Sequence, residues 1–416
     1  MFAHSYLNLN CARAQLNFMF TGTSVKITIS TDSKMTAKST ISYNLNEISS
    51  AFLMNGEVVN IVAYGSGHIN DTFHVKTSEE SDPDYLLQRI NQYVFTDVPG
   101  LMKNIELVTA HVREKMVNSG DFDASKHMLT LIPTHQRQFY HEDAAGNYWR
   151  MYYFLPNTTS YDIVETAQQA YEGGKAFGEF QACLSDMDAR LLVETIPDFH
   201  NIEKRIATLK KVVNENPAGR VTEVKEELDF IMEREQAMNA ILNMGKSGLL
   251  PLRITHNDTK FSNVLLDVHD KAQCVIDLDT VMPGYVAYDF GDAIRSSANT
   301  AAEDEAELEK IDVNLEIFEA FTAGFLSETG DFLSDAEVDS LVLGALLFPY
   351  LMGVRFLTDY IDGDKYYKIN TPKHNLQRAK AQFQLLKKLE YNYDAINKIV
   401  LAEANKMRVN SIKQAI

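Results

Sequence analysis

The segment His256-Asn257-Asp258-Thr259-Lys260-Phe261-Ser262-Asn263 sets an acid and an amide five residues apart, and Asp277 follows Asn263 by 14 positions in Val275-Ile276-Asp277-Leu278-Asp279. An acid, a later amide and a second acid are the minimal set for metal-assisted phosphoryl transfer to a hydroxyl. In that chemistry the first Asp orients the attacking hydroxyl and accepts its proton, which assigns the base to Asp258. Asn263 and Asp277 supply the hard oxygen ligands that suit Mg²⁺. A lone loop Asp usually caps a helix or closes an Asx turn. Three groups in this order, on a loop-strand-turn-strand frame, favour the chemistry. Asp279, two residues past Asp277, would share its side of an extended segment. It offers either a second metal or substrate contact, or an anchor for local backbone.

Asp289-Phe290-Gly291 spells a kinase metal motif but falls 26 residues after Asn263, too far for the turn that follows the loop. Its acids are expected to begin a helix and to hold backbone amides beneath the loop. His256 is expected to brace the loop by hydrogen bonding, since an acid already fills the role of base. Upstream, Gly65-Ser66-Gly67-His68-Ile69-Asn70 is followed by a strand, whereas a dinucleotide fingerprint requires a helix there. A strand fits a hairpin folded over nucleotide phosphates, with Gly65, Ser66 and Gly67 permitting close backbone approach. The sequence contains no Walker-type Gly-Lys-Ser/Thr, which excludes a P-loop kinase. For a cation near the phosphates the third strand offers Arg89, with Glu106 as its partner 17 residues later. Gln88, on the opposite side of the strand, competes with it.

These groups need a scaffold of two kinds. Val58–Ala63, Thr72–Lys76 and Tyr85–Ile90 alternate as strands, Leu101, Ile105, Val108 and Val112 mark a helix, and Met128–Pro133 with Tyr148–Leu155 flank the turn Ala145-Gly146-Asn147. After Pro156-Asn157 the apolar period becomes helical, over Ile163–Leu184, Ile202–Asn214, Val221–Met244, Leu308–Glu328, Asp335–Tyr360 and Lys373–Ile416. The exception is Asn263–Val281, where two short strands flank a turn inside the motif block. The expected fold is therefore α+β: residues 47–155 form a strand-rich first lobe and 156–416 a helical second lobe carrying the loop and the acceptor site. Residues 1–46, rich in Ser, Thr and Asn, are expected to form a disordered extension, with Met1–Lys34 outside the fold and Met35 a candidate start.

The bulk properties narrow the partners. A net charge of −18 over 416 residues argues against nucleic acid, whose phosphates require a basic face. The three cysteines, Cys11, Cys183 and Cys274, are scattered and distant from histidine, so neither a disulfide framework nor a zinc site is indicated. No apolar run is expected to reach the roughly 20 residues that span a bilayer. These properties suit a cytoplasmic protein without membrane or nucleic-acid partners.

Taken together, these motifs resemble the aminoglycoside-phosphotransferase/choline-kinase superfamily, with its His-x-Asp-x-x-x-x-Asn loop and Ile-Asp-x-x-Asp-type turn. The loop is present in full; in the turn, Asp279 stands one place early. Within the superfamily the resemblance is greatest to bacterial N-acetylhexosamine 1-kinases. It is carried by Gly65–Thr72, Leu87–Asn91, Arg150–Tyr161, the loop, Ile276–Pro283, Tyr288–Arg295 and Arg355–Tyr360 through Asp364-Lys365-Tyr366. The resemblance implies a two-lobe protein-kinase-like fold and transfer of the γ-phosphate of ATP, with Mg²⁺, to the anomeric hydroxyl of GlcNAc or GalNAc. It places the base on Asp258, the metal on Asn263 and Asp277, and sugar contacts on Arg355 and Tyr366. The residue chemistry agrees: Arg presents several donors to ring hydroxyls, and an aromatic covers an apolar sugar face. An Arg would repel the cationic acceptors of aminoglycoside or choline-type kinases, the alternative enzymes. A nucleotide-binding pseudokinase is the non-catalytic alternative, disfavoured by the intact base and metal ligands.

Overall fold

The computed structural model describes residues 14–21, 24–31, 40–65, 69–118, 120 and 128–414, which divide into two compact units. The first comprises Met1–Asn91, Leu131–Phe154 and Gly363–Lys368. Strands β1 (Ala14–Thr21), β2 (Ser24–Thr31) and β3 (Thr40–Tyr43) form one antiparallel sheet in that order. Helix α1 (Leu45–Ser50) starts at Asn44, whose side chain accepts the Glu47 amide as an N-cap. A second antiparallel sheet joins β4 (Val58–Ala63), β5 (Asp71–Thr77), β6 (Tyr85–Ile90), β7 (His141–Glu142) and β8 (Tyr148–Tyr153) in the order β4-β5-β6-β8-β7.

The period of two in the sequence fixes which face of that sheet is buried. Phe73 and Val75, Tyr85 and Leu87, Trp149 and Met151 point to one side and close a core with Tyr43, Leu45, Ile48 and Phe52. Trp149 donates its indole N–H to Asp143 at 2.9 Å, and the turn between β7 and β8 runs through Gly146 at φ +78°. Tyr43 meets Trp149 edge-on at 5.1 Å. The boundary expected at residue 47 therefore moves back at least to Tyr43, because Tyr43 and Leu45 already belong to the core. Strands β1 to β3 also occupy part of the stretch expected to lie outside the fold. Residues 1–13, with Cys11, fall outside the described residues.

The second unit comprises Gln92–Thr130, Leu155–Asp362 and Ile369–Ile416. It includes α2 (Val98–Asn118), which the sequence had assigned to the first lobe. The reason is Asn104: its amide donates to the Val193 and Val281 carbonyls and accepts the Val193 N–H, all within this unit. Helices α3 (Ala167–Cys183), α4 (Ile202–Glu215), α5 (Lys225–Met238) and α6 (Ala240–Lys246) come after it. The single helix expected over 221–244 breaks at Asn239, whose side chain bonds the Glu235 carbonyl.

Next come β9 (Arg253–Thr255), the hairpin β10 (Val264–Leu266) and β11 (Ala272–Val275), and β12 (Met282–Gly284), which pairs with β9. The chain ends in α7 (Val286–Ser297), α8 (Leu315–Thr329), α9 (Asp335–Asp362), α10 (His374–Tyr391) and α11 (Tyr393–Gln414). The break between α10 and α11 lies at Asn392, which bonds the Lys388 carbonyl, where one helix was expected.

Two helix crossings in this unit depend on glycine. A Cβ on Gly174 of α3 would overlap the Phe321 carbonyl of α8, and one on Gly324 of α8 would overlap the Tyr171 carbonyl of α3. Gly291 of α7 and Gly344 of α9 meet in the same reciprocal way, against Gly344 and Ala287 carbonyls. Bare backbones thus touch, and α7 is fixed beneath the loop that follows β9. Helix α9 is by length and composition apolar enough to cross a membrane, contrary to the expectation, yet 72% of its apolar window is buried inside the fold.

Candidate functional site

The antiparallel pair of β9 and β12 sets Thr255 opposite Met282, so the chain leaves the ladder at His256 in a fixed direction. The loop from His256 to Thr259 is held from below by one carboxylate. Asp289, in the first turn of α7 and 1% exposed, accepts the His256 and Asn257 amides at 2.8 and 2.7 Å and the Gln181 amide at 2.5 Å. Its own carbonyl accepts the Thr259 hydroxyl at 2.5 Å. Burial pushes the Asp289 carboxyl above the usual carboxylate range, against the pull of His256 and of these donors. The misplaced metal motif is thus a structural clamp, as its spacing suggested.

Asn257 adopts the left-handed region, φ +63°, which an L-residue enters at a cost that Asn tolerates best. Its amide donates to the Thr255 and Thr280 carbonyls at 3.1 and 3.0 Å, which stabilises the turn. His256 lies edge-on to Phe177 and Phe180 of α3. Its Nε2 bonds the Ile276 carbonyl at 2.9 Å, and its Nδ1 accepts the Asp258 amide at 3.3 Å. This pattern fits the tautomer with its proton on Nε2. The histidine therefore braces the loop and joins it to the Asp277 turn.

The hairpin completes the join. Val264 is opposite Val275, and the Ile276 amide donates to the Asn263 carbonyl at 2.9 Å, so Asn263 and Asp277 emerge at the same end of the β10–β11 ladder. The Asn263 amide nitrogen is directed at Asp258, 2.7 Å from its carbonyl and 3.2 Å from its carboxylate. The Asn263 side-chain oxygen and the Asp277 carboxylate are hard oxygen donors, of the kind an ion such as Mg²⁺ takes alongside water and phosphate. The described residues hold no cluster of three or more His, Cys, Asp or Glu suited to a metal. Asp277 sits at φ +61° and caps a 3₁₀ turn, Leu278–Thr280. The segment is therefore not extended, and the expectation that Asp279 shares the side of Asp277 does not hold. Asp279 is buried, at 2% exposure.

One residue in the loop was not singled out from the sequence. The Lys260 ammonium contacts both Asp258 oxygens, at 2.9 and 3.2 Å. Burial alone would raise the Asp258 carboxyl, but Lys260, with His256 and Arg295 nearby, holds it below the usual range. Asp258 in turn raises Lys260. Arg295 of α7, buried, is engaged by Asp292 and Glu303 at 2.8 Å each. The signal for Lys260 was its place two residues past the acid.

The remaining candidates divide between the units. Arg355 of α9 lies with its guanidinium 5.1 Å from the Phe199 ring centre. Tyr366 belongs to the first unit, is 64% exposed and meets Tyr367 edge-on at 4.8 Å. Gly65 takes φ +78° with open space around its Cα, while Ser66 and Gly67 lie outside the described residues. Arg89 shares the strand face of Tyr85 and Leu87: its Nε bonds Asp71 at 2.7 Å and its guanidinium covers Tyr43, so it stands on the core side of the sheet. Gln88, its competitor, stands on the other face with Arg150, whose Nε donates to the Gln88 side-chain Oε1 at 3.0 Å. Glu106 pairs with Lys103 in its own helix, at 3.1 Å.

Residues 60–319 match the family model described as APH, phosphotransferase enzyme family. The fold is similar to that of an aminoglycoside phosphotransferase from Alicyclobacillus acidocaldarius, with TM-score 0.59 and 11% identity over 86% of this chain and 96% of that one. A choline kinase from Cryptosporidium parvum gives 0.51 and 14%, over 83% and 93%. An amicoumacin kinase solved with AMP-PNP and Ca²⁺ gives 0.50 and 15%, over 84% and 93%. At such identities the likeness establishes the fold alone.

Proposed function

The chain belongs to the phosphotransferase enzyme family, and from that premise we propose that it is an ATP-dependent small-molecule kinase acting on the anomeric hydroxyl of an N-acetylhexosamine, giving the sugar 1-phosphate and ADP. The observation that carries the kinase reading is the junction of Asp258, Asn263 and Asp277 on one frame, through the Asn263 amide and the Ile276–Asn263 backbone bond. The sugar oxygen attacks the γ-phosphorus as the bond to the ADP oxygen breaks, and the hydroxyl proton passes to the Asp258 carboxylate. Asn263 and Asp277 would hold Mg²⁺, which when bound neutralises charge on the phosphate oxygens. Lys260 keeps Asp258 ionised and ready to accept the proton. Gly65, with Ser66 and Gly67 next to it in the sequence, is assigned to the nucleotide phosphates; Arg150, bonded to Gln88 on the face away from the core, is a second candidate cation in addition to Arg89.

The acceptor reading rests on Arg355 and on the sequence resemblance, which also names Tyr366; buried Asp279 adds no support. Arg355 supports a neutral, hydroxyl-rich acceptor, because a guanidinium disfavours a polycation or a quaternary amine. A reducing, ATP-supplied compartment, the cytoplasm, suits the free thiols of Cys183 and Cys274.

The test is an ADP-release screen of free hexosamines, neutral hexoses, choline and kanamycin with MgATP, with ³¹P NMR of the product. An anomeric phosphate on GlcNAc or GalNAc is the expected result; turnover with choline or kanamycin alone overturns the acceptor. Asp258→Asn should lower kcat by about a thousandfold, within the range for a lost general base. ATP affinity measured by calorimetry should stay within about twofold. An unchanged kcat removes the proposed base.

A further inference from the structure

The peptide unit that precedes Asp258 is held at both ends by an imidazole. Its N–H donates to His256 Nδ1 at 3.3 Å, and its C=O, that of Asn257, accepts from His200 Nε2 at 3.0 Å. His256 belongs to the loop motif. His200 does not: it lies 58 residues before Asp258, just ahead of α4, where no spacing marks it. We propose that His200 is a positioning residue for the reaction, fixing the plane of the Asn257–Asp258 peptide and through it the reach of the Asp258 carboxylate. The inference rests on Asp258 being the base.

The surroundings support a fixed hydrogen bond with no part in proton transfer. His200 is 6% exposed, and its ring meets Phe199, Tyr288 and Phe348 at 4.4, 5.5 and 4.9 Å. Tyr288 stands one residue from Asp289, so the ring packs on the turn that clamps the loop from below. Burial pushes the imidazole down to about 3, with Arg355 and Arg205 adding to the shift, so the ring stays neutral and its Nε2–H remains a donor at any working pH. Asn257 holds φ +63° through several tethers, Asp289 on its amide and the Thr255 and Thr280 carbonyls on its side chain. The His200 bond is the one on its own carbonyl, the atom that sets the plane of the peptide to Asp258. A peptide rotation there would swing Asp258 away from Asn263 and Lys260. The neighbouring Phe199 carries the Arg355 guanidinium on its ring, and its carbonyl is pinned by Arg205 at 2.8 and 3.2 Å. One dipeptide thus supports the acceptor arginine with its first side chain and the base with its second.

The test separates the donor from the ring. His200→Phe keeps an aromatic against Tyr288 and Phe348 but removes the N–H, and His200→Gln keeps an N–H near the place of Nε2. With MgATP and the acceptor that the wild-type chain phosphorylates, kcat of His200→Phe should fall at least about tenfold. Its acceptor and ATP KM should stay within about twofold, and His200→Gln should recover most of the loss. An unchanged kcat in His200→Phe, or equal losses in both variants, overturns the proposal. Should His200→Phe fail to fold, His200→Gln is set against His200→Asn, whose shorter amide does not reach Asn257; equal kcat values then overturn it. A wild-type chain inactive on every acceptor refutes the kinase reading and this inference with it. An active wild type with an indifferent His200→Phe refutes this inference alone.

Discussion

At the scale of the residue, the ionisation of Asp258, the proposed base, is controlled by what touches it. Lys260 contacts both Asp258 oxygens, and a charge-assisted hydrogen bond is worth about 1.5–3 kcal/mol when sheltered. Lys260 is 46% exposed, so solvent screening points to the lower end, roughly a tenfold change in rate. Lys260→Met is therefore expected to lower kcat about tenfold in the ADP-release assay while acceptor KM stays within about twofold. A KM rise at constant kcat would assign Lys260 to binding instead. The nearness of Asp258 to Asn263 was legible in the sequence because five residues of loop separate them, and the Asn263 amide bonds Asp258. So was the structural role of Asp289, since a distance of 26 residues from Asn263 is incompatible with the metal turn. His200 was not legible, because its partner is a carbonyl 57 residues away and a carbonyl leaves no trace in a sequence. Arg89 was assigned by residue type, and strand parity places it on the core side.

At the scale of the element, periodicity gave the sheet that buries Trp149 and most of the helices, and it failed where side chains compete with the ladder. Asn239 and Asn392 each bond a carbonyl four residues back and end a helix that apolar spacing would have continued. Helix α2 shows a different limit: its pattern was read correctly, but Asn104 ties it to the second unit through contacts with residues 193 and 281. Glycines at helix crossings are equally silent, because a sequence does not reveal which backbones touch. Gly344→Ala drives a methyl group into the Ala287 carbonyl, and overpacking of this kind costs about 1–3 kcal/mol, more where backbone must move. Urea unfolding should show a lower midpoint at constant slope. Adding Gly291→Ala should cost less than the sum of the two, since both enlarge one contact.

At the scale of the whole molecule, the buried His200 links stability to pH. Its imidazole, pushed down to about 3 by burial, remains neutral in the folded chain, while in the unfolded chain it titrates near 6.5. Between these values the unfolded state binds more protons, so stability falls as pH is lowered, by up to ~1.4 kcal/mol per pH unit, and this contribution levels off below about 3. It is fully present above about 6.5. Thermal unfolding at pH 7 and pH 5 should show a Tm drop that is smaller in His200→Gln. An identical drop in both proteins would mean that other groups govern acid unfolding.

Helix α9 has a consequence for synthesis as well. It is complete at Asp362, but the partner that covers its Gly353 surface, Phe383 of α10, is translated later. A nascent chain stalled between the two would display a stretch apolar enough to be mistaken for a membrane anchor. The later helix is thus needed to complete the cover that α7, already made, begins at Gly344.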